Sequence, residues 1–307
     1  MTLRVPRFGL LWKLVKESVV AWQDDFAQSM GAAIAFYTAF SMAPLLVIAL
    51  AIAGFFFGND AADGYVFGQL ASVVGPDGAS ALQAMVKGAR STGEGIIATV
   101  IGLALLLFGA TTAFAELQTD LDRIWKAPAA TATEGLWGMI RSRLLSFGLV
   151  VSIGFLMLVS LIVSAVLAAV SDWWGTHFQG AEWLLHGLDL VVSLVVVTLL
   201  FAIIYKMLPR VRIAWGDVWA GAFVTAVLFA IGKILVGLYV AKAGVATSFG
   251  TAGSLAVLLI WFYYAAQIFL LGAEFTWAFA HRYGSRRDQA PPETAKEAMA
   301  ASGGAHE

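Results

Sequence analysis

The chain has 307 residues, of which 60% are hydrophobic and 13% charged, with a mean hydropathy of +0.82 and a formal net charge of -1. A single water-soluble core cannot hide that much apolar surface, so lipid must cover part of it. The net charge points to no particular partner, and the absence of cysteine excludes disulfides, thiolate metal sites and cysteine nucleophiles.

A bilayer core about 30 Å thick takes roughly 20 mostly apolar residues as a helix. Six runs meet that length, over residues 32–57, 95–115, 146–170, 188–208, 216–241 and 254–280. Barrel strands would alternate apolar and polar residues, and these runs do not, which leaves helices as the spanning structure. The expected fold is all-α: a polytopic membrane protein with six transmembrane helices, an interfacial helix before the first and an amphipathic helical outer loop after it.

Residues 1–31 precede the first span. Within them Leu11, Leu14, Val15, Ser18 and Trp22 gather near one face while Lys13, Lys16 and Glu17 lie elsewhere, as in a helix lying along a membrane surface. The first long apolar run begins too late, and lacks the small-residue cleavage site, for a secretory signal peptide, so span one is expected to stay in the protein. Span one, 32–57, carries Tyr37, Ser41 and Pro44 at i, i+4 and i+7, on one helix face. Pro44 removes its own donor and frees the carbonyl of Phe40, so the face reads either as a substrate contact and hinge or as an ordinary packing kink.

The loop over 58–94 holds two amphipathic pieces, Tyr65–Val74 and Ala79–Ala89, divided by the turn Gly75-Pro76-Asp77-Gly78. It is expected to cap the outer mouth of the bundle. Span two, 95–115, continues into Thr112, Glu116, Asp120 and Arg123, a polar stripe that leaves the membrane on its inner side. Glu116 and Asp120 read as a gate or as an interfacial cap in which one acid pairs with Arg123 or Arg143.

Spans three and four, 146–170 and 188–208, carry few charges. Span five, 216–241, contains Lys233 in a wholly apolar setting, Leu228-Phe229-Ala230-Ile231-Gly232 before it and Ile234-Leu235-Val236-Gly237 after it. Such a lysine either contacts an anion from a cavity or snorkels its ammonium along its stem to the interface. The polar turn Thr247–Ser254 leads into span six and serves either as an anion-binding helix start or as a plain re-entry loop. Span six, 254–280, places Tyr263, Gln267 and Glu274 on one face. Glu274 lies about two turns inside the inner end, where it is a coupling carboxylate or one half of an ion pair with an inner-loop arginine. The tail, 281–307, is expected to be cytoplasmic and, from Ser285 through Pro291-Pro292 and its small residues, disordered.

Lysine and arginine near span ends are retained in the cytoplasm during insertion. Fifteen of the nineteen basic residues fall on one side of a six-span topology: Arg4, Arg7, Lys13 and Lys16; Arg123, Lys126, Arg141 and Arg143; Lys206, Arg210 and Arg212; Arg282, Arg286, Arg287 and Lys296. Only Lys87, Arg90 and Lys242 fall on the other, with Lys233 inside span five. Both ends of the chain are therefore expected to be cytoplasmic.

The segments Thr247–Tyr283, Ala33–Leu46 and Glu116–Trp125 together resemble the YihY/BrkB family over nearly the whole chain, the tail excepted. The resemblance implies a bacterial inner-membrane protein with six helices. Members have been described as transporters, linked to envelope and serum-resistance phenotypes, and long mislabelled as ribonuclease BN. Hydrolysis of that kind needs clustered ligands, but His177, His186, His281 and His306 are scattered, with no HxH or HxxxH pair. No Walker-type glycine loop is present, so ATP-driven pumping by this chain alone is not expected, nor is a nucleic-acid partner, an enzymatic activity or a cofactor.

Two functions remain open. In the first, the bundle translocates an amphipathic anion, a lipid or envelope precursor, with Lys233, Tyr37, Ser41, Tyr263 and Gln267 in contact with it and Pro44, Glu116, Asp120 and Glu274 gating or coupling. In the second, the protein is a non-transporting scaffold for envelope assembly. Membrane lipids are the expected surroundings in either case. Small residues such as Gly31, Ala35 and Ala39 permit close helix contact, within one chain or between chains.

Overall fold

The computed structural model describes residues 8–91, 112–128, 182–243 and 251–287. The predicted span at 146–170, all of the 95–115 span except its last turn, and the turn at 244–250 lie outside the described residues. Every regular element among the described residues is helical. In chain order these are α1 (Phe8–Asp24), α2 (Ala27–Phe57), α3 (Asn59–Ser91), α4 (112–124), α5 (Glu182–Met207), α6 (Trp215–Ala243) and α7 (Thr251–Arg282). Four of them are long and apolar enough to cross a membrane, over Ala27–Val47, Leu190–Met207, Trp215–Tyr239 and Leu255–Arg282.

Helix α1 is set down on α7 by a narrow stripe. Leu14 and Ser18, one turn apart, are buried, Leu14 against Phe275 and Ala278, while Trp12, Val15 and Val19 face outwards. The Ser18 hydroxyl costs nothing there because it donates to the Leu14 carbonyl at 2.8 Å. The helix ends at a two-residue elbow. Phe26 adopts φ 58 and ψ 37, a left-handed conformation uncommon for an aromatic residue, and α2 starts at the next position. Span one was expected to begin at residue 32. The helix that carries it begins five residues earlier, at Ala27, because Ala27 and Met30 already face the core, so the chain turns into the bundle before its apolar run starts.

The segment expected to form the outer loop is α3, helical on both sides of one non-helical residue, Gly75 (φ 80, ψ 166). The expected four-residue turn shrinks to this glycine, because Pro76 opens the second segment with its φ already suited to a first helical turn. Leu82 and Val86 are fully buried against α2 and α7 in a core with Leu46, Leu50, Leu258 and Trp261. This core fills the end of the bundle away from the elbow. The larger core, at the elbow end, joins the start of α2, the end of α5, the start of α6, the second half of α7 and α4. Ion and hydrogen bonds clip α4 to the α5–α6 turn. Gln118 Nε2 donates to the Leu208 carbonyl at 3.0 Å, and Asp122 accepts the Arg210 amide at 2.8 Å and pairs with its guanidinium at 3.4 Å.

Helices α6 and α7 approach each other closely, and glycine permits it. Gly221 on α6 lies under Thr276, where an added Cβ would come within 3.1 Å of the Thr276 backbone, and Gly272 on α7 lies under Thr225 and Tyr205. Hydrocarbon offers no hydrophobic gain for helix association, so close van der Waals contact through small residues has to supply it. The hydroxyls at the crossing are all satisfied. Thr225 and Thr276 donate to carbonyls one turn back, Gly221 and Gly272, and the Tyr205 hydroxyl bonds the Phe269 carbonyl at 2.7 Å and Thr225 Oγ1 at 3.1 Å. Hydrogen bonds across membrane helices average about 0.6 kcal/mol, so the packing term dominates. Gly221→Ala should therefore lower the thermal midpoint in detergent, by the equivalent of about 1–3 kcal/mol of overpacking, despite the better helix propensity of alanine. Gly237→Ala, on the same helix with open space around it, should leave the midpoint unchanged or raise it; equal effects at the two positions would refute the close crossing.

Candidate functional site

The buried charged groups among the described residues, Asp120, Asp217 and Glu274, collect at the elbow end of the bundle. Glu274, in the second half of α7, is 1% exposed, and its Oε1 has no hydrogen-bond partner. The charged groups that face it come from two other elements: Asp25 and Asp24 from the end of α1 and the elbow, and Lys126 from the segment after α4. The expected arginine partner for Glu274 is not found among the described residues. Arg282 pairs with Glu17 on the exposed side of α1, and Arg286 reaches across to the Arg212 carbonyl and the face of Trp125. The one basic group facing Glu274, Lys126, also stands 5.2 Å above the ring of Trp277.

Asp120 is 4% exposed on α4, and its Oδ2 is likewise without a partner. Burial is the main reason its carboxyl is pushed up to about 7; Glu116, one turn away, adds to the rise, and Arg123 offsets it only in part. Arg123 acts on it from its own helix at a distance, and the pairing expected with Arg143 falls outside the described residues. On the other face of α4, burial raises Asp122 too, against the opposing pull of the Arg210 amide and guanidinium.

Gln267 ties α7 to the elbow. Its Nε2 donates weakly to the carbonyls of Ala27 and Gln28, at 3.4 and 3.3 Å, and sits where a side chain on Gly31 would have to be. Its Oε1 is buried without a partner, as are the indole nitrogens of Trp22 and Trp125. Five such orphaned atoms, on α1, on α4 with the turn that follows it, and on α7, thus line one end of the molecule. Buried polar atoms are rarely left unpaired, and a set of donors and acceptors gathered at one locus marks a place built to meet something polar.

The remaining predicted residues do not join this group. Tyr263 shares a face with Gln267 and Glu274 on an ideal helix, yet it is exposed, because the elbow covers only the turns from Gln267 onwards. On α2, Tyr37 is half-buried with its ring edge-to-face with Phe36, and Ser41 donates to the Thr38 carbonyl at 3.0 Å, so its hydroxyl is already used. The backbone remains helical through Pro44. Lys233 is exposed on α6 beside the exposed Ile231, Ile234 and Leu235, far from the acidic end. The tail begins as ordered structure rather than as a free end: Ser285 donates from its amide and its hydroxyl to the buried Asp217, the hydroxyl at 2.6 Å. Sequence reasoning missed Asp24, Asp25, Lys126, Trp22 and Trp125. The adjacent acids Asp24-Asp25 directly before an apolar run were the one available signal.

Asp120 generates a test. A carboxyl whose folded-state value is raised binds its proton more tightly when folded, so the stability it confers is complete below about pH 4 and is lost as pH rises to about 7. Asp120→Asn removes that dependence. The variant should match the wild type in thermal midpoint near pH 4 and exceed it above pH 7, with the gap opening between those values. Parallel curves for the two proteins would show that Asp120 is not held in a costly charged state.

The family model described as virulence factor BrkB matches residues 19–297. A UPF0761 membrane protein of Ralstonia nicotianae is 30% identical over 265 residues, covering 82% of this chain and 55% of its own length. Another from Rhodospirillum centenum is 26% identical over 286 residues, covering 91% of this chain and 60% of its own length, and one from Tolumonas auensis is 26% identical over 180 residues, covering 58% and 56%. The chain thus spans a little over half the length of these curated relatives. No solved structure matches it. The match over most of the chain, on an all-helical scaffold with several membrane-length apolar helices, makes this protein a member of the BrkB family of membrane proteins.

Proposed function

We propose that the protein is an inner-membrane transporter that moves an amphipathic anion, with both ends of the chain in the cytoplasm and with buried carboxyl groups at the cytoplasmic end coupling the movement. The observation that carries this reading is Glu274: a carboxyl in a membrane-length helix, withdrawn from water, with an oxygen that nothing pairs. Ionisable groups in such helices are expensive and mark pathways and relays.

The orientation is supported by where the basic residues meet. Arg210, Arg212, Arg282, Arg286 and Lys126 come from three separate stretches of chain, yet their contacts with Asp122, Glu17, Trp125 and Trp277 all fall at the elbow end. A shared basic end is what cytoplasmic retention of Lys and Arg produces. The substrate class is supported by Lys233. Its ammonium shares an outward surface with Ile231, Ile234, Leu235 and Leu238, a cation beside an apolar flank, which suits an anionic headgroup carried on acyl chains. The scaffold alternative draws less support, because α3, the segment that would capture envelope partners, spends Leu82 and Val86 on the bundle's own core.

Purified protein in liposomes should accelerate the movement of fluorescently tagged phosphatidylglycerol between leaflets, read as protection from external dithionite. Lys233→Met should raise the lipid fraction needed for half-maximal rate, and Glu274→Gln should lower the maximal rate at least about tenfold, roughly one transition-state increment of 1.4 kcal/mol. Rates unaltered by both substitutions would remove the proposed role.

A further inference from the structure

Glu274 and Asp25 belong to elements far apart in sequence, and the fold sets them facing each other at the elbow, with Lys126 as the counterion among the described residues. The geometry is that of a contact with two states. Two ionised carboxylates held together in a water-poor place repel strongly, whereas one proton converts the pair into donor and acceptor. Glu274 cannot retreat, being fully enclosed on α7. Asp25 can, because it is only half-buried and the next residue, Phe26, is exposed and in a left-handed conformation that persists only while its surroundings enforce it.

The two sides of the elbow are held unequally. The first turn of α2 is fixed to α7 by the Gln267 bonds to Ala27 and Gln28 and by the Gly31 contact. Helix α1 is held by the stripe of Leu14 and Ser18, by the partly buried Trp22 against the larger core and by an exposed ion pair between Glu17 and Arg282. Phe26 is therefore a pivot with a fixed side and a movable side. The charged groups facing the pair are Asp24 on α1 and Lys126 after α4; α2 and α6 bring none among the described residues. Nor, among the described residues, do three or more acidic or histidine side chains converge as metal ligands, so the ligand these groups suit is a proton.

We propose that Asp25 and Glu274 form a proton-binding site in which one proton bridges the two carboxyl groups and holds α1 against α7, and that loss of this proton to water releases α1 about Phe26. This deepens the transport reading, on which it rests for the proton's role as coupling ion, by naming that ion and the element it moves.

The chain contains no cysteine, so spin labels can be placed at Lys16→Cys on α1 and Met207→Cys at the end of α5, both exposed, without other changes. Distances between them are measured by pulsed electron paramagnetic resonance on the full chain in lipid nanodiscs, in acid at about pH 5 and in base at about pH 10.5. The expected result is one narrow distance distribution in acid that lengthens and broadens in base, with the response lost in Glu274→Gln and also in Asp25→Asn, a half-buried position that tolerates the change. Asp60→Asn, exposed at the start of α3, should keep the response. Identical wild-type distributions at the two pH values, a response that survives Glu274→Gln, or a response lost in Asp60→Asn would each overturn the proposal. No substrate enters the measurement, so an inactive transport assay and an immobile α1 are separate failures.

Discussion

Close approach of α6 and α7 through Gly221 and Gly272 is the constraint on which the rest of the molecule is built. Helix α7 is the element against which α1, α2, α3 and α6 all pack. In a bilayer the contacts with α2 and α6 are not driven by expulsion of water, so the helix in the middle must be seated by dispersion contacts that only small residues permit. Gly221 and Gly272 let the two backbones come together, and Thr225 and Thr276 fill the crossing without leaving a hydroxyl unpaired. A larger side chain at either glycine would push α7 outwards. It would carry Gln267 and Glu274 away from the elbow, which sits on the opposite side of the same helix.

That seating explains how the molecule tolerates unpaired polar atoms at its basic end. Burying a carboxyl oxygen without a partner is costly, and here Glu274 and Asp120 do so together with two tryptophan nitrogens and a glutamine oxygen. Such an arrangement survives only where neighbouring structure over-determines it. The glycine-threonine crossing, the Gln118 and Asp122 clips to the α5–α6 turn and the Asp217 hold on Ser285 are all fully satisfied, and they surround the frustrated groups. Satisfied contacts form the frame and unsatisfied ones occupy the space within it, the division expected where a site has to accept and give up a small polar ligand.

The lipid-facing character of the chain was legible because it is a property of local composition: apolar runs of membrane length read the same in isolation as in the fold. So was the break in α3, since a glycine followed by proline punctuates a helix whatever lies around it. What could not be read was which helix faces would be covered. Tyr263, Gln267 and Glu274 share a stripe by periodicity, but the elbow reaches only the later turns, and its reach depends on the pivot at Phe26, which no local pattern announces. Asp25 was invisible as a partner of Glu274 for the same reason. Long-range pairing is decided by how helices cross, and crossing is decided by glycine contacts such as Gly31 with Gln267 that carry no signature along the chain.

Lys233 and Glu274 were the two sharpest polar signals in apolar surroundings, and the fold treats them oppositely. A lysine has a long apolar stem and can leave its ammonium at the edge of the hydrocarbon, so an outward position on α6 costs it little and presents a cation to lipid headgroups. A glutamate has a short stem and no such escape. Once α7 is central its carboxyl must be either paired or neutralised, and the neighbours supplied by the elbow are acids with a single lysine. On the proposed transport reading, the chemistry of the two side chains separates the tasks by position: attraction of an anionic amphiphile at the lipid-facing surface, and a charge that can be switched off where four helices meet. A transporter of that kind needs both, and it needs them apart, because a lysine close enough to neutralise Glu274 permanently would leave no switch.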